Sequence, residues 1–275
     1  MNDKADISIL GCGWLGLPLA EALINAGKHV KGSTTSPAKL DLLAQKGITP
    51  YLIDLQDEEA DKAILDELLE TDVLVISIPP RLRSDGGSAY LGQLHKLVKT
   101  MLNAPVRKVL FISSTSVYDD LNHIVTETDD MFTKPTDPGY TLLQAERLFQ
   151  EREEWLTTVV RFAGLVGDDR SPGRFMAGKT NVPNGDAPVN LIHRDDCISI
   201  LKRIIEQEKW GEVYNACSDE HPMRRDFYPP AAIALGLEPP TFIEMQETHF
   251  KIISNQKLKQ DLPYVFQHPD PMRFF

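Results

Sequence analysis

The 275-residue chain has only three cysteines, Cys12, Cys197 and Cys217, and none lies in a C-x-x-C pair. An odd, scattered set of thiols argues against a disulfide framework or a thiolate zinc site and fits a reducing compartment. Positive charge is also scarce: 29 Lys and Arg stand against 40 Asp and Glu, for a formal net charge of −11. Nucleic acids and anionic membranes attract clustered Lys and Arg, so neither is expected as a partner. No apolar run approaches the roughly 20 residues of a membrane-spanning helix. The opening segment Met1–Asp6 is acidic and lacks the pattern of a signal peptide, so a cytoplasmic location is expected. No H-x-x-x-H spacing or carboxylate cluster suggests a metal, and none is expected.

What is present is an ordinary globular composition, 42% hydrophobic and 25% charged, enough for a packed core. Short apolar runs at Ile7–Leu10, His29–Ser33, Thr49–Ile53, Asp72–Ile78, Lys108–Ser113 and Thr157–Phe162 read as strands. Between them, Trp14–Ala26, Pro37–Gln45, Glu58–Glu70, Tyr90–Leu102 and Tyr140–Glu153 have helical spacing. Alternation of this kind predicts an α/β fold with a doubly wound parallel sheet covered on both faces. Regularity breaks near Gly164. The stretch Gly164–Pro188 reads as long loops. It is followed by a helix over Asp195–Glu208 with Asp195 or Asp196 as N-cap, and by a strand at Glu212–Ala216. Helices are expected around Asp226–Leu235 and near Asn255–Gln260. The division this implies is a nucleotide-binding domain over residues 1–165, with 190–216 returning to it. A smaller C-terminal substrate lobe is formed by 166–189 and 217–275.

Chemistry is concentrated first in Gly11-Cys12-Gly13-Trp14-Leu15-Gly16, which has the G-x-G-x-x-G spacing. It follows a predicted strand and opens a predicted helix, the context of a Rossmann-type dinucleotide site. Gly11 permits the tight turn, Gly13 lets backbone approach a pyrophosphate, and Gly16 lets helix and strand pack closely. The free N–H groups of the helix start, around Trp14 and Leu15, suit an anion. The end of the second strand reads Ser33-Thr34-Thr35-Ser36, without the acid that holds an NAD ribose. Hydroxyls there, with Lys39 one turn on, suit a 2′-phosphate. NADP is therefore expected, with NAD as the second choice. A Ser/Thr loop that only caps the following helix is the competing reading. Asp54 and Leu55 follow the third strand, where an acid can accept from the adenine amino group or cap the next helix. Ser77, Ile78 and Pro79 end the fourth strand, where the chain should pass the cofactor ribose.

The order of later motifs resembles the extended short-chain dehydrogenase/reductases, the NAD(P)-dependent epimerase/dehydratase family, and in detail its atypical YeeZ-like subgroup. Phe111–Tyr118 looks like the family's fifth strand, and Tyr140 stands where Y-x-x-x-K begins. Val160–Gly167 is similar to the sixth strand and its exit. Asn190-Leu191-Ile192-His193-Arg194-Asp195-Asp196 is similar to N-x-I-H-x-D-D. The resemblance covers almost the whole chain. It implies that Ser114 holds a substrate oxygen and that Tyr140 moves a proton while a nicotinamide moves hydride. It places Arg174, Asn190 and His193 on the side of a small, anionic or nucleotide-linked substrate. It also implies a homodimer through the helices of Tyr90–Leu102 and Tyr140–Glu153.

Three departures stand out. The glycine spacing differs from the family's G-x-x-G-x-x-G. Thr115-Ser116 replaces the acidic pair of the dehydratases. Gln144 occupies the place of the catalytic Lys. That Lys lowers the tyrosine pKa in the family; without a cation, a tyrosine titrating near ~10 is ionised about once in a thousand at pH 7. Gln144 can hydrogen-bond a ribose but supplies no charge. A second reading therefore stands beside the oxidoreductase or epimerase: a cofactor-binding sensor or regulator. A Rossmann domain for FAD or S-adenosylmethionine is a third. The basic residues Arg161, Arg170, Arg174 and Lys179 fall in or near the second-half loops, where a solvated surface is the plainer reading for each.

Overall fold

A computed structural model of the chain describes residues 5–56, 62–80, 87–129, 134, 139–167, 169–245 and 247–275. The chain divides into two compact units. The first comprises Met1–Ser113, Thr133–Val160 and Leu201–Val213, and the second Ser114–Phe132, Arg161–Ile200 and Tyr214–Phe275.

The strands that build the main sheet are β1 (Ala5–Leu10), β2 (Val30–Thr34), β3 (Thr49–Leu52), β4 (Thr71–Ile76), β5 (Lys108–Ser114), β7 (Leu156–Phe162) and β10 (Val213–Ala216). Their order is β10-β7-β5-β4-β1-β2-β3, and the pairings from β5 across to β3 are parallel. Parallel strands need crossover connections, and these are supplied by α1 (Gly16–Asn25), α2 (Leu40–Gln45), α3 (Lys62–Leu69), α4 (Ser88–Met101) and α5 (Tyr140–Gln150). Val73, Leu74, Val75 and Ile76 of β4 are all buried, as expected of a strand covered on both faces. Leu19 and Leu23 of α1 and Leu94 and Leu97 of α4 supply fully buried helix faces. Phe111 of β5 meets Phe149 of α5 at 5.3 Å between ring centroids.

The order fixes where a ligand can sit. From β1 the chain moves outward through β2 and β3, then returns to pair β4 with the other side of β1. Such a reversal opens a crevice outside the carboxyl ends of the two central strands.

The predicted helix over Pro37–Gln45 is split: Pro37–Lys39 forms a 3-10 turn before α2. The start of the helix predicted over Glu58–Glu70 lies outside the described residues. Short pairings absent from the sequence reading appear in the second unit. There β6 (Ile124–Val125) pairs with β11 (Ile252–Ile253), and β8 (Gly164–Val166) with β9 (Leu191–His193), both parallel. Two- and three-residue strands joined across long sequence distances carry no periodic signal.

The core of the second unit gathers Val166, Val189, Leu191, Phe227 and Tyr228, with Phe175, Met176, Phe242 and Phe274 against it. Its helices are α6 (Arg194–Glu206), α7 (Arg224–Ile233) and α8 (Gln256–Asp261); α6 begins in this unit and ends in the first. Asp195 and Asp196 lie within the first turn of α6 rather than at an N-cap before it. The Asp196 carboxylate instead accepts from Tyr264 Oη at 2.7 Å and from the backbone N–H groups of Gln267 and His268 at 2.7 and 3.0 Å. Among the described residues, no helix is long and apolar enough to cross a membrane.

Candidate functional site

The glycine turn joins β1 to α1 at the reversal. Gly11 has φ +102°, and a Cβ there would lie 2.7 Å from the Ser77 carbonyl oxygen, so both backbone conformation and close approach to the exit of β4 require glycine. A Cβ on Gly16 would collide with the Gly11 carbonyl oxygen. Gly13 differs: nothing lies within 4 Å of its Cβ position, which leaves the backbone open toward a ligand. The turn is also held from β2, because Gly11 N–H donates to Ser33 Oγ at 2.9 Å and Cys12 N–H to the Ser33 carbonyl at 2.7 Å. Burial pushes the Cys12 thiol up to about 12, so it is no nucleophile at neutral pH.

A cavity of about 350 Å³ opens on this turn within the first unit, a volume in the range of small-molecule sites. Gly11, Gly13, Ser33, Thr34, Thr35, Lys39, Asp54, Leu55, Ser77, Ile78 and Pro79 line it. Trp14, Leu15 and Gly16 shape the turn and helix start without lining it. Ala89, Tyr90 and Gln93 of α4 also line the cavity. No local motif marks these three as site residues, although a helix that follows β4 in this topology is a natural wall for the crevice.

The hydroxyls of the second-strand loop divide their work. Ser33 is buried and holds Gly11, as above. Thr34, also buried, accepts the Ser36 N–H at 3.1 Å. Thr35 and Lys39 are exposed in the cavity wall, and Lys39 has no ion-pair partner among the described residues. Ser36 makes no side-chain cap to the 3-10 turn that follows. The exposed Asp54 lines the cavity and accepts the Gln56 N–H at 3.0 Å through Oδ1.

In the first unit, Tyr140 and Gln144 are both half-buried and one helical turn apart on α5, hence on one face. Two residues further, Glu146 is fully buried and accepts from the Ser113 hydroxyl at 2.5 Å, tying α5 to β5. No local sequence signal marks this pair, whose members lie 33 positions apart. Ser114, the next residue, belongs to the second unit, where its Oγ accepts the Ser116 N–H at 3.2 Å and caps the 3-10 turn Thr115–Val117.

The second unit contains a buried polar chain. Arg161, 2% exposed, donates to Tyr118 Oη at 2.6 Å; Tyr118 donates to Asn215 Oδ1 at 2.9 Å; and Glu127 accepts the Asn215 N–H at 2.8 Å. Burial raises the Tyr118 pKa, opposed by the Arg161 charge and hydrogen bond. Arg161 is thus an interior residue, whereas Arg174 is exposed on the 3-10 turn Pro172–Phe175. The side chain of Asn190 donates to the Lys251 carbonyl and accepts from the Ile253 N–H, both at 2.9 Å, fastening β11. His193 is buried at the end of β9 and stacks on His268.

Comparison with known proteins agrees with this geometry. The family described as NAD(P)H-binding matches residues 11–207. The protein YeeZ of Escherichia coli (strain K12) is 38% identical over 275 residues, covering 97% of each chain. Among solved structures, UDP-glucuronic acid 4-epimerase from Bacillus cereus, in complex with UDP-glucuronic acid and NAD, superposes with a TM-score of 0.75 at 21% identity, covering 98% of this chain and 96% of its own. UDP-glucose-4-epimerase from Stenotrophomonas maltophila, with bound NAD and formylated UDP-arabinopyranose, gives 0.78 at 14% identity, covering 98% and 95%. These structural likenesses establish an epimerase-like Rossmann fold.

Proposed function

The chain belongs to the NAD(P)H-binding family, and on that footing we propose that it is an NADP(H)-dependent oxidoreductase or epimerase acting on a small anionic substrate, nucleotide-linked sugars included. One observation carries the cofactor preference: the cavity loop Ser33–Ser36 contains no carboxylate and is followed by an exposed Lys39 in the cavity wall. A carboxylate there would repel a 2′-phosphate, and a cation attracts it.

The residues present fit a dinucleotide. Gly13 leaves its backbone bare, and the first N–H groups of α1 lie beside it to receive a pyrophosphate. Thr35 and Lys39 are assigned to the adenosine-ribose phosphate, and Asp54 to the adenine amino group. The bound nicotinamide supplies hydride exchange at the substrate carbon. Tyr140 is assigned the proton that balances this exchange, given to the substrate oxygen in reduction and taken from it in oxidation. Ser114 is assigned the hydrogen bond to that oxygen. Gln144, on the same face as Tyr140, is assigned a neutral hydrogen bond to the ribose. Arg174 is assigned to the anionic part of the substrate, because a planar guanidinium matches a phosphate or carboxylate. The nucleotide sugars bound by the Bacillus and Stenotrophomonas proteins support this substrate class.

The test is hydride transfer from NADPH to a panel of aldehydes, ketones and sugar nucleotides, followed by absorbance. Turnover that is lost in Tyr140→Phe is expected. No turnover on any member, with no effect of Tyr140→Phe, overturns the proposal. Calorimetry with NADPH, NADH, FAD and S-adenosylmethionine separates the cofactors. The family relationship does not favour a purely regulatory role, and wild-type turnover would eliminate it. A cytoplasmic location, supported by three free buried cysteines, and a homodimer through α4 and α5 complete the proposal. Light scattering at micromolar concentration tests the dimer.

A further inference from the structure

The second unit brings together three side chains from β9, α6 and the C-terminal segment. Among the described residues, His193, Asp195 and His268 form a group whose potential ligand atoms all lie within 4.8 Å of one another. Asp195 Oδ2 is 3.4 Å from His193 Nδ1 and 3.4 Å from His268 Nε2. The two imidazoles are stacked, with ring centroids 3.9 Å apart and planes at 36°. Both rings therefore present a nitrogen to the same carboxylate oxygen.

The distances distinguish a proton from a metal. Charge-assisted N–H···O bonds measure about 2.7–2.9 Å, so 3.4 Å is too long for either contact. His193 Nδ1 also accepts the backbone N–H of Asp195 at 3.3 Å, the role of the unprotonated nitrogen in a neutral ring. Two ligands bound at ~2.05 Å to a tetrahedral ion stand ~3.3 Å apart, close to both nitrogen–oxygen spacings. The long backbone bond to Nδ1 is weak enough to yield to a metal.

We propose that His193 Nδ1, Asp195 Oδ2 and His268 Nε2 form a site for a divalent transition-metal ion. Two imidazoles and one carboxylate suit Zn²⁺, with water in the fourth position. The surroundings are organised for this. The Asp196 carboxylate holds the backbone N–H groups of Gln267 and His268, and so fixes the segment that carries the second imidazole. The ring of Phe274 lies 5.7 Å from His193 and 6.3 Å from His268, an apolar wall on one side. Such support orients ligands before the ion arrives. Asp195 and His268 are partly exposed, which gives the ion a way in. A bound ion would pin the C-terminal segment to β9 and α6. The proposal is independent of the cofactor site, which lies in the first unit.

The experiment uses untagged full-length protein, stripped with a chelator and dialysed, then titrated with ZnCl₂ by calorimetry and with CoCl₂ by visible absorption. One equivalent of Zn²⁺ per chain and the d–d bands of a nitrogen- and oxygen-ligated cobalt site are expected. His268→Ala and Asp195→Asn should each weaken binding by at least ~100-fold, more than is lost when a supporting residue around a metal is removed. His268→Gln, which stays polar, guards against misfolding, and circular dichroism without metal confirms that each variant is folded. His123→Ala, at an exposed histidine beside Asp129, should leave binding unchanged. Absence of stoichiometric uptake by the wild-type protein, or equal uptake by folded His268 and Asp195 variants, overturns the proposal.

Discussion

The Ser33 hydroxyl accepts the backbone N–H of Gly11 at 2.9 Å, so the strand end that faces the cavity also holds the glycine turn in shape. A single loop thus shapes the turn offered to the pyrophosphate and presents the groups offered to the adenosine ribose. Ser33→Ala removes the acceptor from a part-buried N–H, at a cost of ~1–2 kcal/mol. Dinucleotide affinity measured by calorimetry should fall ~5–30-fold. Unchanged affinity would show that the turn keeps its shape without Ser33.

Gly11→Ala tests the turn more severely. The new methyl group would meet the Ser77 carbonyl at 2.7 Å on a backbone with φ +102°. Loss of measurable cofactor binding is expected, with a lowered melting temperature, because both strand exits must move to accept the methyl group. An alanine variant with wild-type binding would contradict this account of the turn.

Lys39→Ala separates the two cofactors. Lys39 is exposed, so its attraction to a phosphate is screened and modest. NADPH affinity is expected to fall ~3–10-fold while NADH affinity stays level, and the difference should shrink at high salt. An equal loss for both cofactors would assign Lys39 to the shared part of the dinucleotide.

Ser113→Ala tests the buried link between β5 and α5. It removes a 2.5 Å hydrogen bond to the fully buried Glu146, a loss of ~1–3 kcal/mol. For a chain of this size each kcal/mol corresponds to a drop of ~2–4 °C in melting temperature. Thermal unfolding followed by circular dichroism measures it, and an unchanged midpoint would mean that the carboxyl group finds another donor.

Asp129 provides a pH signature in the second unit. Its carboxylate accepts the Thr126 hydroxyl and N–H and the His123 ring, which hold its pKa down to about 2, the Thr126 hydroxyl contributing most. The bond to Asp129 raises His123 in turn. A depressed carboxyl pKa adds stability above the unfolded value of ~3.9, lost as the pH falls toward the folded one. A raised imidazole pKa adds stability below ~6.5, lost as the pH rises through the folded value. The stability advantage of wild type over Asp129→Asn should therefore be largest at about pH 5–6. It should close fully toward acid and partly toward alkali, where the Thr126 bonds persist. Denaturant titrations across the pH range measure it; an advantage that does not vary with pH would refute the linkage.

Much of the first unit was legible in the sequence because its signals are local. The alternation of apolar runs and amphipathic stretches marked the strands now seen as β1–β5, β7 and β10. The G-x-G-x-x-G spacing marked the turn at the reversal. Legibility failed where a residue's neighbours lie far along the chain. Ser33 was legible as part of the cofactor loop, but the hold of its hydroxyl on Gly11 was not. Arg161 looked like a loop cation, yet it is buried against Tyr118. His193 looked like a substrate-side residue, and only the packed chain brings His268 onto its ring.

By itself the sequence determined the parallel α/β sheet and the position of its glycine turn, because the backbone periods and glycine's lack of a Cβ are properties of neighbouring residues. The tertiary structure alone decided which polar side chains are consumed in holding the chain together and which face a cavity or one another. Hydrogen bonds and ligand clusters depend on distances between segments, and those distances exist only once the segments have packed.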